Sequence, residues 1–436
     1  MSDLLHKHLV SFISTYMDKS RPILVAVSGG PDSLALFLLL TQIESLQLSV
    51  AHVDHSWRES STREALELEK IVLDRGCSFY VKKLDPTVMK GNLENAAREE
   101  RYGFFKELID RHGFQGVMLG HHAGDVAETV LKRIFEGADI TKFSGMDPVK
   151  KSGGITLFRP FLSLPKSVLL AYIKESGLQA VEDCTNGDTR FLRGKMREMI
   201  IPELSDLFGK NISPALCSIA SRARELNEYL NIKLGSYLDA AVEGKTGLFM
   251  DFNPLLHLHP FELSYLIKKL LEREGLTGSK MQRHILYDLL LKKTANKRII
   301  VDNRNIEIDR GRLFFMRHEF PFCEGICSLD EGNCMSGSWI VKTSLGPVRK
   351  IFSSPLDILK GEFSVALPKG MYFLEPAQKN LPYRNTTLDK WWSNNKVPAF
   401  LRQIVPVISD EHGVKHEFLS GNPRFTEGEF VIRLFL

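Results

Sequence analysis

Ile23-Leu-Val-Ala-Val-Ser-Gly-Gly-Pro-Asp-Ser33 opens with five apolar, mostly β-branched residues and closes on a turn of small ones. The apolar run reads as a buried parallel strand, and Leu34 to Leu40 behind it as the following helix. Gly29 and Gly30 let the backbone approach a ligand without an intervening Cβ, and Pro31 suits a first helical position. A helix N-terminus offers free N–H groups and the positive end of its dipole, and the Ser28 and Ser33 hydroxyls can add donors. Phosphate is the natural guest. The segment lacks both the Gly-Lys-Ser/Thr ending of a Walker loop and the three spaced glycines of a dinucleotide fingerprint. Asp32 inside such a loop would repel phosphate unless a cation lay between them, which implies magnesium. An ordinary Asp-capped turn is the competing reading of these residues.

Working outward, residues 1 to about 145 alternate strand and helix patterns: Leu48–Val53 as a strand, Thr62–Arg75 as a helix and Ser78–Leu84 as a strand. Asn92–His112 then reads as a helix, Gly116–Gly120 as a strand and Asp125–Phe135 as a helix. Such alternation predicts a doubly wound parallel sheet of the α/β class with a nucleotide crevice at the C-terminal strand ends. Asp54, in Val53-Asp-His55, closes the second strand, where an acid can hold magnesium or a nucleotide hydroxyl; a solvated carboxylate is the bland alternative. Arg58 is spaced to reach a phosphate. Arg98 and Arg101 share a helix face among Glu94, Glu99 and Glu100, which alone reads as a salt-bridged surface. His121 and His122 point opposite ways at a strand end and do not share one metal. Asp125 and Glu128 either cap the next helix or form a seat for an ammonium group.

Downstream, Ser167–Ser176 reads as a helix, and a polar loop from Glu182 through Asp183 and Asp188 leads into Arg190, Arg193, Lys195 and Arg197. That cluster is dense enough to grip a phosphate backbone. Four regions are expected: 1–205, the doubly wound nucleotide-binding domain; 206–320, mostly helical; 321–337, a linker; and 338–436, a small α+β module. In the last, Lys390, Lys396 and Arg402 beside Trp391, Trp392 and Phe400 suggest an RNA surface, with core aromatics the competing reading. Cys323, Cys327 and Cys334 lack a paired C-x-x-C and make a weak zinc candidate.

With 436 residues and 43% hydrophobic content, the chain can build several cores; a net charge of +4 permits a nucleic-acid partner without requiring one. No apolar run approaches the roughly 18 residues of a membrane span, and Met1–Lys19 is too charged for a signal peptide, so a cytoplasmic protein without a membrane partner is expected. Six cysteines in this length do not suggest a disulfide framework.

Ser28–Ser33 resembles the SGGxDS motif of the PP-loop ATP pyrophosphatases, which cleave ATP between its α and β phosphates. Within that superfamily the chain resembles the tRNA(Ile)-lysidine synthetase family at this loop and at Val53-Asp54-His55. The likeness continues at Asn95-Ala-Ala-Arg-x-x-Arg-Tyr102, at Gly120-His-His-x-x-Asp-x-x-Glu-Thr129, at Asp183-x-Thr-Asn186 with Arg193 and Arg197, and in the segment from Lys396 through Arg402 to Pro406. It departs from the family pattern at Gly124, where an Asp is usual, and at Gly194, where an Asn is. The resemblance implies ligation of free L-lysine to the wobble cytidine of tRNA(Ile) with a CAU anticodon, using ATP and Mg²⁺. By it, Ser28, Gly29, Gly30, Pro31, Asp32, Ser33 and Asp54 hold ATP, with magnesium on Asp32 and Asp54. Asp125 and Glu128 hold lysine, and Asp32, His121 and Asp125 are catalytic. Arg98, Arg101, Arg193 and Arg197 hold adenylate or tRNA phosphates. A homodimer is compatible with it. The rivals are a PP-loop tRNA thiolase, which needs a cysteine near the crevice, and a non-catalytic tRNA-binding protein.

Overall fold

The computed structural model describes residues 2–44, 46–54, 61–84, 93–177, 192–317, 323–329, 333–349, 357–402, 404–421 and 427–436. His55, Arg58 and the polar loop with Glu182, Asp183, Asn186, Asp188 and Arg190 lie outside them, as does the side chain of Asn95. The chain divides into two compact units, Met1–Glu228 and Tyr229–Leu436.

In the first unit the elements run α1 (Ser2–Tyr16), β1 (Ile23–Ala26), α2 (Pro31–Thr41), β2 (Leu48–Asp54), α3 (Ser61–Leu73), β3 (Ser78–Lys83) and α4 (Leu93–His112). They continue through β4 (Val117–Met118), α5 (Ala123–Phe135), β5 (Val149–Ser152), β6 (Ile155–Phe158) and α6 (Lys166–Glu175). The sheet order is β3-β2-β1-β4-β6-β5. All neighbours are parallel except the β5–β6 hairpin at the edge. The winding reverses between β1 and β4, so the loops leaving these two strands face one crevice.

Alternation along the strands explains the two helical layers. Ile23, Val25 and Val50 pack with α1, α2, α3 and α6, whereas Leu24, Ala51 and Val53 pack with Phe104, Phe105 and Leu108 of α4. Helix α2 is buried along the whole of Ser33–Leu40, which accounts for a sequence apolar on every side. Helix α1 was not among the expected elements; Leu5, Leu9, Phe12 and Ile13 form its buried stripe.

The second unit mixes helices with more strand than expected. Pro260–Arg273 and Lys280–Leu291 are helices, but a five-stranded antiparallel sheet stands beside them, built from Val242–Gly244, Gly247–Asp251, Lys297–Val301, Arg304–Asp309 and Arg312–Met316. Arg298–Ile308, whose sequence pattern reads as one continuous strand, is a hairpin. Asp302 and Asn303 both have positive φ, 47° and 66°, and turn the chain. The stretch read as a linker carries two short strands, Cys327–Ser328 and Asn333–Ser336, each paired within a sheet. Glu417–Leu419, whose sequence pattern reads as a strand, is irregular, and the hairpin Val407–Asp410/Gly413–His416 precedes it. Glu417 is buried there to accept the indole N–H groups of Trp391 and Trp392 at 3.1 and 2.6 Å.

Of the three proposed RNA-facing aromatics, Trp392 is core and the half-buried Trp391 and Phe400 pack against it. Trp392 is buried, and Arg402 is buried against Asp389, Ser393 and the Val397 carbonyl. Lys390 and Lys396 remain exposed, and the Arg384 guanidinium stacks 4.3 Å above the half-buried Trp391 ring. The three clustered cysteines pack against the same core. Burial and then neighbouring Cys327 push the Cys334 thiol up to about 12.

Candidate active site

The turn from β1 into α2 is held by one hydroxyl. Ser33 Oγ donates to the Gly30 carbonyl at 3.1 Å and accepts the Ser28 N–H at 3.1 Å, with Ser28 Oγ also 3.1 Å away. Gly29, at φ 89°, occupies left-handed backbone that a side chain would strain. Ser33 is therefore spent inside the loop, while Ser28 is exposed. Gly30 is the N-cap of α2 and has no side-chain cap, and Pro31 follows as its first residue, so the helix dipole opens onto the crevice. Beside it, His52 Nδ1 donates to the Val27 carbonyl at 2.8 Å, tying the exit of β1 to β2, whose last residue is the buried Asp54.

The loop after β4 presses directly on this turn. A Cβ placed on Gly120 would meet the Asp32 carbonyl carbon and oxygen at 2.9 Å, so only glycine lets the two loops touch. His122 then caps α5. Its N–H donates to Asp125 Oδ2 at 2.8 Å, and its Nδ1 accepts the Gly124 N–H at 2.9 Å. A backbone N–H can only donate, so the ring proton sits on Nε2. That nitrogen lies 3.6 Å from Asp32 Oδ2 and 3.7 Å from Asp125 Oδ2, placing the phosphate-loop carboxylate and the α5 carboxylate on either side of one imidazole. Gly124 makes room for the ring: a Cβ there would stand 2.7 Å from His122 Cε1.

Asp125 and Glu128 are brought together as the sequence suggested, and a cation already spans them. Arg197 donates from Nε to Glu128 Oε1 at 2.7 Å and from Nη2 to Asp125 Oδ1 at 3.1 Å. It stands on a single π-helical turn, Met196–Ile200, after the short α7 (Leu192–Lys195). Burial pushes the Glu128 carboxyl up, against the opposing hydrogen bond and charge of Arg197. Burial acts on Asp125 in the same direction but is overcome by His122 and His121, the His122 N–H and Arg197, so its carboxyl lies below the ordinary range.

His121 points elsewhere. Its buried Nδ1 has no hydrogen-bond partner among the described residues, and burial brings its pKa down to about 4, with Asp125 opposing and Arg159, Arg101 and Arg193 reinforcing. It is a neutral imidazole at neutral pH. Arg98 is exposed and lies over the Tyr102 ring at 4.8 Å, with Arg101 also near that ring, at 5.7 Å; Arg193 is exposed.

Two contributors escaped the sequence reading. Arg159 is buried, with its Nε unpartnered among the described residues and its Nη1 donating to the Asp147 carbonyl at 2.9 Å. Its charge helps to lower the His121 pKa; its signal was an arginine directly after a sheet strand. Cys217 is the second, a cysteine of the first unit whose Sγ donates to the Ala123 carbonyl at 3.3 Å at the start of α5. Burial raises that thiol, which makes it a poor nucleophile.

Asp32 fits a divalent cation. Its Oδ1 is buried without a hydrogen-bond partner among the described residues, and burial pushes its carboxyl up despite nearby His122 and Lys166. An orphaned carboxylate oxygen beside an anion-binding turn is a donor arrangement suited to magnesium held between protein and phosphate.

Residues 2–204 match the PP-loop domain family. The chain is 35% identical to a tRNA(Ile)-lysidine synthase of Protochlamydia amoebophila (strain UWE25), over 98% of this chain and 95% of that protein. It is 36% identical to a tRNA(Ile)-lysidine synthase of Chlamydia trachomatis serovar L2, over 70% of this chain and 96% of that one. Among solved structures, the U34-tRNA thiolase NcsA from Methanococcus maripaludis aligns at a TM-score of 0.42 and 17% identity, covering 51% of this chain and 80% of that one. With a relative 35% identical over nearly the whole of both chains and a matching PP-loop domain, the chain belongs to the tRNA(Ile)-lysidine synthase family of PP-loop enzymes.

Proposed function

We propose that this chain uses ATP and magnesium to join free L-lysine to C2 of the wobble cytidine in tRNA(Ile) bearing a CAU anticodon. The observation that carries the reading is the Arg197 guanidinium seated across Asp125 and Glu128, one imidazole away from Asp32. A paired carboxylate seat for a cation stands beside an anion-binding turn, which is the layout an adenylating ligase with an amine nucleophile needs.

The Ser28–Ser33 turn and the N-terminus of α2 hold the β and γ phosphates. Asp32 and Asp54 would hold magnesium, which supplies charge neutralisation of the triphosphate when bound. The cytidine O2 attacks the α-phosphorus; the bond to the bridging oxygen breaks and pyrophosphate leaves, giving a base activated at C2. Lysine enters at Asp125 and Glu128 in place of Arg197, and the freed guanidinium joins Arg98, Arg101, Arg159 and Arg193 around the adenylate phosphate. The ε-amine, having lost a proton, attacks C2, and AMP departs with the C2–O bond electrons. His121, neutral at working pH, is suited to orient the base by a hydrogen bond rather than to carry charge. The C-terminal module, with exposed Lys390 and Lys396, is assigned to the rest of the tRNA.

Incubating the full chain with the tRNA, ATP and labelled lysine tests the reading. Label in the tRNA with stoichiometric AMP and pyrophosphate, and no sulfur donor present, supports it. Sulfur transfer, or retention of tRNA without ATP turnover, overturns it.

A further inference from the structure

The His122 imidazole is fixed from both ends. Its Nδ1 is committed to the Gly124 N–H at 2.9 Å, the residue is buried, and the absence of a Cβ on Gly124 is what admits the ring. Only Nε2–H is left to act. Asp32 Oδ2 and Asp125 Oδ2 stand almost equally far from it, at 3.6 and 3.7 Å, each too long for a hydrogen bond. One proton faces two carboxylates and can satisfy only one of them fully. A small ring tilt therefore shortens one contact at the expense of the other, and either carboxylate's partner biases the choice.

We propose that His122 is a positioning residue that couples the two half-sites, so that a cation-bound triphosphate at Asp32 and an amine at Asp125 each weaken the other's binding through the shared Nε2–H. This rests on the amine-seat reading above. When a cation neutralises Asp32, the N–H turns to Asp125 and offsets part of the charge that attracts the amine. An amine on Asp125 sends the N–H to Asp32 in the same way. The consequence is an order of events: the amine seat is strongest once pyrophosphate and its cation have left, when the activated base is waiting. Coupling of this kind is reciprocal by linkage.

Titration calorimetry on the full chain tests it, with α,β-methylene-ATP plus Mg²⁺ and lysine as the two probes. In the wild-type chain each probe should weaken the other by about fivefold, within the usual range of site coupling. His122→Asn keeps a side-chain acceptor for the Gly124 N–H, since Asn is a strong N-cap, but places no donor between the carboxylates. It should retain the melting midpoint and reduce the coupling to under about twofold. Gly124→Ala, which displaces the ring without changing its chemistry, should do the same should His122→Asn prove unstable. Wild-type coupling in both variants overturns the proposal and leaves His122 a helix cap. Independent binding of both probes to the wild type overturns the coupling alone, whereas failure of the wild type to bind lysine at all removes the amine seat with it.

Discussion

Arg197 and Glu128 are joined by a 2.7 Å charge-assisted hydrogen bond, so the acidic seat at the head of α5 is closed by a residue of the chain itself. The Glu128 side chain is only 6% exposed, and without that guanidinium a buried carboxylate would stand beside Asp125 uncompensated. The two carboxylates are thus already satisfied by a cation, and under the proposed function an incoming ammonium would exchange with the arginine.

Arg197→Ala is expected to lower the stability of the chain by about 3 kcal/mol, the scale of breaking a buried pair. The lysine KM should fall, because the internal competitor is gone, while kcat falls by about 100-fold for want of the guanidinium at the phosphate. Initial rates against lysine concentration, with a thermal melt, check both. An unchanged or higher KM would show that Arg197 does not compete for the seat.

Asp32 should behave in the opposite sense. Its carboxyl is held buried with an Oδ1 unpartnered among the described residues, and burial raises its pKa, so the fold disfavours the charged form. Asp32→Asn is expected to stabilise the fold by about 1 kcal/mol and to reduce pyrophosphate release by at least about 100-fold. Denaturant melts and a pyrophosphate assay on one preparation give both numbers.

Gly120 tests the contact between the two loops. Gly120→Ala puts a methyl 2.9 Å from the Asp32 carbonyl, which must move, at a cost of about 2 kcal/mol for overpacking. Binding of α,β-methylene-ATP should weaken accordingly while the second unit's melting is unaffected.

In the second unit, Glu274 accepts from Arg304 Nη2 at 3.0 Å and from Arg317 Nε at 3.0 Å, and its side chain is 1% exposed. Burial would raise its carboxyl, but the hydrogen bonds from Arg317 and Arg304 and their charges win, and the folded pKa lies below the ordinary 4.5. A depressed pKa contributes stability above the unfolded value, lost as pH falls from about 4.5 through the folded value. Glu274→Gln should flatten the fall in stability below pH 4.5, as read from chemical denaturation across acid pH.

How much of this was readable beforehand follows from how local each feature is. The β1–α2 turn is contiguous, and its glycines, proline and aspartate each have a local backbone reason, so the fold class and the tight turn itself were both legible from Ser28–Ser33. The pairing of Asp125 with Glu128 follows from spacing on one helix. Arg197 is 69 residues from Glu128 and 72 from Asp125, and an arginine in a basic cluster carries no sign that it folds onto carboxylates. The place of His122 between Asp32 and Asp125 depends on a ring folding back over Gly124, which no residue pattern encodes. The hairpin at Asp302–Asn303 was missed for a different reason: these residues tolerate positive φ, yet the flanking apolar run continues the strand pattern on both sides.

The most direct test of the account separates activation from amine transfer in Asp125→Asn. With tRNA and ATP, this variant should release pyrophosphate at close to the wild-type rate and accumulate adenylated tRNA, while half-saturation by lysine rises by about 100-fold, the scale of losing one charged contact. Wild-type lysine saturation in that variant, or loss of pyrophosphate release together with lysine transfer, would contradict an amine seat at the start of α5.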